Sequence, residues 1–324
     1  ECLFTAISLI RKNKIDIIHA RSNEPVIIAF LISKILRVKF IYDRRGMMGE
    51  DYTDDATTRF KIKRGGLIYR ALDGLERRIM LDADAMVLLT DKIYDHVTRD
   101  KEFARKKDTI YVVPCCVNLD AFPKFDKNDS PILSDLGLKD KYVINYSGSL
   151  CDLHSFGEML DFFKAAKKMI TNAHFMFLTM ADEAHLTRMV TSGGIGEDDF
   201  TIRSSSPLKV NDYLSASDAS IMFFKPTFIR WAASPTKLAE CLASGLPVII
   251  NKGIGDTETL IEKNKVGVIV KEFSQDAYLT ALKELSELVR ESGLRQRCRR
   301  TAESNFPVQL GAERYRKIYD NLST

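Results

Sequence analysis

The chain has 324 residues, above the size at which a single hydrophobic core usually stops growing, so two lobes are expected. It is 45% hydrophobic and 28% charged, as globular enzymes are, and its formal net charge of +4 is too weak a bias to point to nucleic acid. Its six cysteines (Cys2, Cys115, Cys116, Cys151, Cys241 and Cys298) show no paired spacing and read as reduced thiols. The longest apolar run, Pro25 to Ile32, is far short of the roughly 20 residues that a membrane-spanning helix needs, so a cytoplasmic protein is expected.

The chain opens at Glu1, already inside a helical pattern (Leu3, Ile7, Leu9, Ile10), so earlier strands of a first lobe are expected upstream. Short apolar runs at Ile15–His19, Lys39–Asp43, Ala85–Thr90 and Thr109–Val113 then alternate with helix-length segments at Pro25–Leu36, Gly66–Leu81 and Asp91–Thr98. Buried strands separated by helices predict a parallel sheet covered on both faces. From Pro114 to Asp140 the chain becomes polar and loop-like, and the lobe boundary is placed at residue 125. Six further runs follow, at Tyr142–Tyr146, His174–Thr179, Phe200–Arg203, Ala219–Phe224, Val248–Asn251 and Val266–Val270, again with helices between them. They predict a complete doubly wound lobe over residues 126–305, with ligands at the carboxyl ends of its strands. The tail from Asp276 to Leu322 reads as helix, broken near Asn305–Pro307.

The stretch from Ser234 to Ile249 carries the most chemistry. Ser234 suits an N-cap, Pro235 the first helical position and Gly245 the left-handed residue past the end. Free N–H groups at Thr236 and Lys237, with the helix dipole behind them, form a phosphate-sized anion site. Glu240 stands one turn further on, placed to accept both hydroxyls of a ribose; the plainer reading makes it a solvated carboxylate on a capped helix. Asp43-Arg44-Arg45-Gly46 follows a strand end, so its arginines read either as surface charges or as acceptor or phosphate recognition. His19 closes a strand, as a catalytic or a core histidine, whereas His154 lies on the loop after the Gly148 turn and is the better polar candidate. Asp82-Ala83-Asp84 matches a metal-binding spelling, but in the wrong context of a helix end before a strand. Seven basic residues between Arg59 and Arg78 form either a solvated helix face or a contact for anionic headgroups.

Ser234-Pro235-Thr236-Lys237-Leu238, with Glu240 and Gly245-Leu246-Pro247-Val248, resembles the donor-site motif of the family 4 glycosyltransferases, which have the GT-B fold. The resemblance runs along nearly the whole chain, through Asp16–Arg21, Tyr42–Gly46, Ala83–Thr90, Val113–Asp120, Asn145–Leu150 and Gly253–Val270. It implies an α/β protein of two Rossmann-like lobes facing a cleft, the first lobe incomplete, with residues 306–324 returning to it as a helix. It also implies a retaining, metal-independent transfer from a nucleotide-diphosphate sugar, UDP- or GDP-linked, to a glycan or lipid-linked acceptor in polysaccharide or cell-surface glycan synthesis. Carried over by position, Glu240 holds the ribose, Thr236 and Lys237 face the phosphates, Ser204 and Ser205 lie beside the nucleobase, and Gly148 and Ser149 form the turn at the pyrophosphate.

Three departures accompany the match. The first glutamate of the family's paired-glutamate motif falls on Ala232. The cations that usually follow the glycine turn are replaced by Cys151-Asp152-Leu153-His154, leaving Lys225, Arg230 and Lys237 to neutralise the diphosphate. The family's glycine-rich loop after its first strand would lie before Glu1. The catalytic residues expected on these grounds are Lys237, Lys225, Arg45 and His154, with peripheral contact to the inner membrane face through residues 59–78. A noncatalytic partner subunit and a sugar-nucleotide 2-epimerase are the alternatives.

Overall fold

The computed structural model describes residues 2–53, 61–123, 127, 130–150 and 153–323. These form two compact units. Unit 1 comprises Glu1–Pro114, Thr227–Ser234 and Gln309–Thr324, and unit 2 comprises Cys115–Pro226 and Pro235–Val308.

Unit 1 holds a four-stranded parallel sheet in the order β1-β2-β3-β4, formed by Ile17–Arg21, Lys39–Asp43, Ala85–Leu88 and Ile110–Val112. Every residue of β3 and four of the five in β2 are buried, as strands covered on both faces require. Helices α1 (Cys2–Asn13), α2 (Asn23–Leu36), α3 (Leu67–Asp82), α4 (Asp91–Thr98) and the short α5 (Lys101–Ala104) connect them. α2 buries Val26, Ala29 and Ile32, the apolar stripe that its three-residue spacing builds. α4 begins where Thr90 accepts the Ile93 N–H, a side-chain cap that fixes its start.

Unit 2 is a six-stranded parallel sheet in the order β10-β9-β8-β5-β6-β7. In chain order its strands are β5 (Tyr142–Ser147), β6 (Ala173–Leu178), β7 (Phe200–Arg203), β8 (Ala219–Met222), β9 (Val248–Asn251) and β10 (Gly267–Val270). Strand order reverses direction between β5 and β8, the switch point beside which doubly wound sheets bind ligands at their carboxyl edge. Helices α6 (Pro131–Asp135), α7 (Phe156–Met169), α8 (Glu183–Ser192), α9 (Val210–Ser215), α10 (Thr236–Ala243), α11 (Thr257–Asn264), α12 (Gln275–Leu288) and α13 (Leu294–Asn305) complete the unit. Phe163, Phe175 and Phe177 stack through its core, with ring centroids 4.8 and 4.2 Å apart.

The expected boundary at residue 125 lies outside the described residues, and the units divide earlier, between Pro114 and Cys115. Val117 pairs with Pro307, and the Arg299 guanidinium donates to the carbonyls of Leu119, Phe122 and Ala243, which ties this stretch to α13. The tail, expected to break once near Asn305–Pro307, breaks twice. Gly293 adopts a left-handed φ of 82° that ends the run after α12, and the second break precedes α14 (Val308–Ser323). α14 packs Ile318, Tyr315 and Tyr319 against Ile41, Ala85 and Val87 of unit 1. Among the described residues, no helix is long and apolar enough to cross a membrane.

Candidate active site

At the carboxyl edge of β5, β6 and β7 a pocket of about 450 Å³ opens in unit 2. Its walls include Gly148 and Ser149 after β5, Thr179 after β6, Ser205 after β7, and Lys237 and Glu240 on α10. The backbone of the turn favours glycine, and the space that a side chain would fill is taken by a lysine. Gly148 holds a φ of 136°, and a Cβ there would collide with Nζ of Lys237. The lysine therefore lies across the turn, its Nζ 5.4 Å from the centroid of the Tyr146 ring. Tyr146 supports the same turn from the other end of its side chain, its hydroxyl donating to the Ser149 carbonyl at 2.7 Å.

Glu240 is half-buried beside Lys237 in this wall. Burial raises its carboxyl above the ordinary value, and the lysine charge opposes that rise in part. The helix that carries both residues buries Leu238, Ala239, Cys241, Leu242 and Ala243, so Glu240 occupies its open side. Past its end, Gly245 takes a φ of 74° and the Leu246 N–H reaches back to Cys241 at 2.8 Å, the left-handed stop that the sequence predicts.

Other expected residues fall elsewhere. α10 starts at Thr236 with Pro235 at the cap position, so Ser234 stands one residue outside it. The reason is the backbone of Pro235, whose ψ of 118° is extended, while its carbonyl already accepts the Leu238 N–H. Ser234 belongs with unit 1, and Ser204 and Thr236 are exposed and do not line the pocket. Lys225 and His154 line a different depression of about 660 Å³ with Phe156, Met189 and Phe273. His154 is buried there between Phe224 and Tyr146, at 5.0 and 5.8 Å between ring centroids. Cys151 and Asp152 of the departing loop, like Arg59 of the basic segment, lie outside the described residues.

The segment around Ala232 shows why no carboxylate stands at that position. Ala232 is buried in the core of unit 1, against which Phe228 and Ile229 also pack. Trp231 accepts a 2.6 Å hydrogen bond from Thr90 at its carbonyl, and its ring lies 4.9 Å from the Lys92 ammonium. The site residues that sequence reading passed over are Tyr146 and Thr179. Both sit at or near strand ends beside the switch point, which is the signal that could have found them.

In unit 1 the strand-end charges bond to protein. Arg44 donates through Nε to Glu76 at 2.7 Å, and Glu76 also accepts the Tyr42 hydroxyl and the Met48 N–H, each at 3.0 Å. Arg45, expected at the chemistry, instead pairs with Asp43 at 2.8 Å and donates to the Tyr315 hydroxyl at 2.9 Å. Burial would raise the Asp43 carboxyl, but hydrogen bonds from His19, Arg45 and Tyr315 hold it below its ordinary value. His19 completes the cluster, 3.5 Å from Asp43 and 2.8 Å from the Tyr319 hydroxyl. Asp82 pairs with Lys34 and Arg78, and Asp84 accepts the Phe40 N–H, so both carboxylates of the metal-like spelling serve the fold. His174 is a core histidine on the Thr201 hydroxyl, its titration pushed down to about 4 mainly by burial.

The model of Glycosyltransferase Family 4 matches residues 1–121, and that of the glucosyltransferase 3-like C-terminal domain matches residues 230–294. No curated protein matches the chain in sequence. Among solved structures, a glycosyltransferase from Rickettsia africae is 17% identical, with a TM-score of 0.72 over 99% of this chain and 80% of its own. A sucrose-phosphate synthase from Thermosynechococcus elongatus is 15% identical, with a TM-score of 0.75 over 99% of this chain and 77% of its own. HepE from Anabaena, solved in complex with UDP-glucose, is 12% identical, with a TM-score of 0.73 over 99% of this chain and 81% of its own. The chain thus matches the family 4 glycosyltransferases over its first 121 residues and shares the GT-B fold of these structures along its length.

Proposed function

We propose that the protein transfers a hexose, with retention, from a nucleotide-diphosphate donor to a hydroxyl of a glycan or lipid-linked acceptor in the synthesis of polysaccharide or cell-surface glycan. The observation that carries this reading is the pocket that joins Gly148, Ser149, Ser205, Lys237 and Glu240 at the carboxyl edge of a doubly wound sheet. Glu240 accepts the ribose hydroxyls, Ser205 borders the base, and the Gly148–Ser149 turn and Lys237 meet the diphosphate. The complex of HepE with UDP-glucose favours uridine as the base.

In the transfer, the bond from the anomeric carbon to the diphosphate oxygen breaks while the acceptor oxygen bonds on the same face. The acceptor proton passes to the departing diphosphate. Charge develops on that leaving group, so a lysine fixed beside it stabilises the transition state more than the ground state. Lys237 fits this role because its ammonium already lies over the Gly148 turn and beside the Tyr146 ring before any ligand arrives.

Calorimetric titration with UDP and UDP-hexoses, coupled to a UDP-release assay, tests the reading. Binding and acceptor-dependent release are expected; absence of binding by any nucleoside diphosphate would overturn it. Ala232, buried in unit 1, favours a second reading as a noncatalytic partner. That reading predicts donor binding with no release under any acceptor.

A further inference from the structure

The first turn of α3 and the residues before it place bare apolar side chains beside uncompensated positive charge. Leu67 is 86% exposed and Ile68 63% exposed. Residues 61–70 contain Lys61, Lys63, Arg64 and Arg70 and no acidic residue. Further along the helix the charges are compensated, Arg77 by Asp100 at 2.9 Å and Arg78 by Asp82 at 2.8 Å. Lys61, Lys63 and Arg70 are exposed and form no ion pair among the described residues.

The apolar pair stands on a fixed base. Glu50 accepts Nε and Nη2 of Arg64 at 3.1 and 2.5 Å and the Tyr69 hydroxyl at 2.7 Å, so one carboxylate clamps the chain on both sides of Leu67–Ile68. The Tyr69 ring also lies against Gly49, where a Cβ would come within 3.1 Å of it. A folded protein gains nothing internally by holding two large aliphatic side chains in water on an anchored turn. An interface that is apolar at one depth and anionic at the next satisfies both parts of the surface.

We propose that this face docks on an anionic lipid bilayer, with Leu67 and Ile68 entering the headgroup–acyl boundary and Lys61, Lys63 and Arg70 meeting lipid phosphates. Arg64 stays with Glu50 and organises the turn. A soluble polyanion would use the cations and leave the aliphatic pair in water. A second copy of the chain would cover the pair without needing lipid phosphate. The proposal stands apart from the donor-site reading, because vesicle binding needs no sugar nucleotide.

Co-sedimentation of the 324-residue protein with vesicles tests it. Binding is expected to an equal mixture of phosphatidylcholine and phosphatidylglycerol, weak binding to phosphatidylcholine alone, and release as salt is raised. Leu67→Ser with Ile68→Ser, and separately Lys61→Glu with Lys63→Glu and Arg70→Glu, should each lower partitioning by about tenfold or more, with unchanged melting. Equal binding to both lipids, no binding to either, insensitivity to salt, or full binding by either variant would overturn the proposal. So would inorganic polyphosphate binding that is lost in the charge variant while vesicles fail to bind. A dimer by light scattering that Leu67→Ser dissociates, again without vesicle binding, would assign the face to a second copy instead.

Discussion

Both units close their strands on charged side chains, and they use them differently. At the ends of β2 in unit 1, Arg44 and Arg45 are bonded to Glu76 and Asp43, carboxylates that are themselves buried. At the edge of β5 to β7 in unit 2, Lys237 and Glu240 stand in the wall of an open pocket. A buried pair such as Arg44–Glu76 is costly to break because either half alone is a stranded charge. A charge held beside a pocket keeps its field available to a ligand. The same residue types therefore mark stability in one unit and, on the proposed function, binding in the other, and each can be disturbed without the other.

The largest effect is expected in unit 1. Glu76→Ala removes the acceptor of Tyr42, Arg44 and the Met48 N–H together, and leaves the Arg44 guanidinium buried. Denaturant unfolding should show a loss of about 3–5 kcal/mol, while the affinity of UDP for the surviving folded protein stays unchanged. A loss below about 1 kcal/mol would show that water or a neighbour readily replaces the carboxylate.

Lys237→Ala should do the reverse. Stability is expected to hold, because the ammonium lies at a pocket wall and not in the core. Turnover should fall by about 10²-fold, equivalent to roughly 2.7 kcal/mol of transition-state stabilisation, with a smaller loss in donor binding. Equal losses in kcat/KM and in donor affinity would mean that the lysine binds ground state and transition state alike.

How much of this was legible before the structure follows from the range of the interactions concerned. β2, β7, β9 and α4 carry the bounds read from the sequence, because a mostly apolar run or a Thr90-type cap is written within a few residues. Glu240 and Lys237 could be placed together by helix spacing, and Gly148 by its position after a strand. Arg45 could not be assigned to α14, because its partner Tyr315 is distant in the chain and tyrosine spacing does not announce a contact with Asp43. The same holds for residues 227–234. Read locally they approach the donor helix, whereas Thr90, Lys92 and His96 bind them into unit 1.

Glu240 gives a smaller and more diagnostic effect. Its carboxyl titrates above the ordinary value because it is half-buried, with Lys237 only partly offsetting this. In the window between the ordinary and the raised value the folded protein binds more protons than the unfolded chain. Stability of the ligand-free protein should therefore rise as pH falls through that window. Donor binding needs the ionised form and should weaken over the same window, so the two profiles have opposite slopes. Glu240→Ala should remove both slopes and weaken donor binding at neutral pH by about 1.5–3 kcal/mol. Parallel slopes in calorimetry and thermal melts would separate the carboxylate from the ribose.

The smallest effect is expected at Lys225, and it sharpens the comparison within unit 2 itself. Sequence position gives Lys225 and Lys237 the same claim on a diphosphate, since both follow or flank strand ends in a lobe that has lost its usual cations. The structure separates them. Lys225 is exposed and lines the depression with His154 and Phe273, and its backbone N–H is spent on the Leu153 carbonyl at 3.0 Å. Lys237 lies over Gly148 in the other pocket. A solvated ammonium outside the proposed donor pocket contributes little to either binding or rate, and surface substitutions of this kind stay within about 0.5 kcal/mol, or roughly twofold. Lys225→Ala should therefore leave turnover and UDP affinity within about two- to threefold of wild type. A fall approaching that of Lys237→Ala would mean that the diphosphate or its sugar extends into the second depression, and would move the reacting end of the donor away from the Gly148 turn.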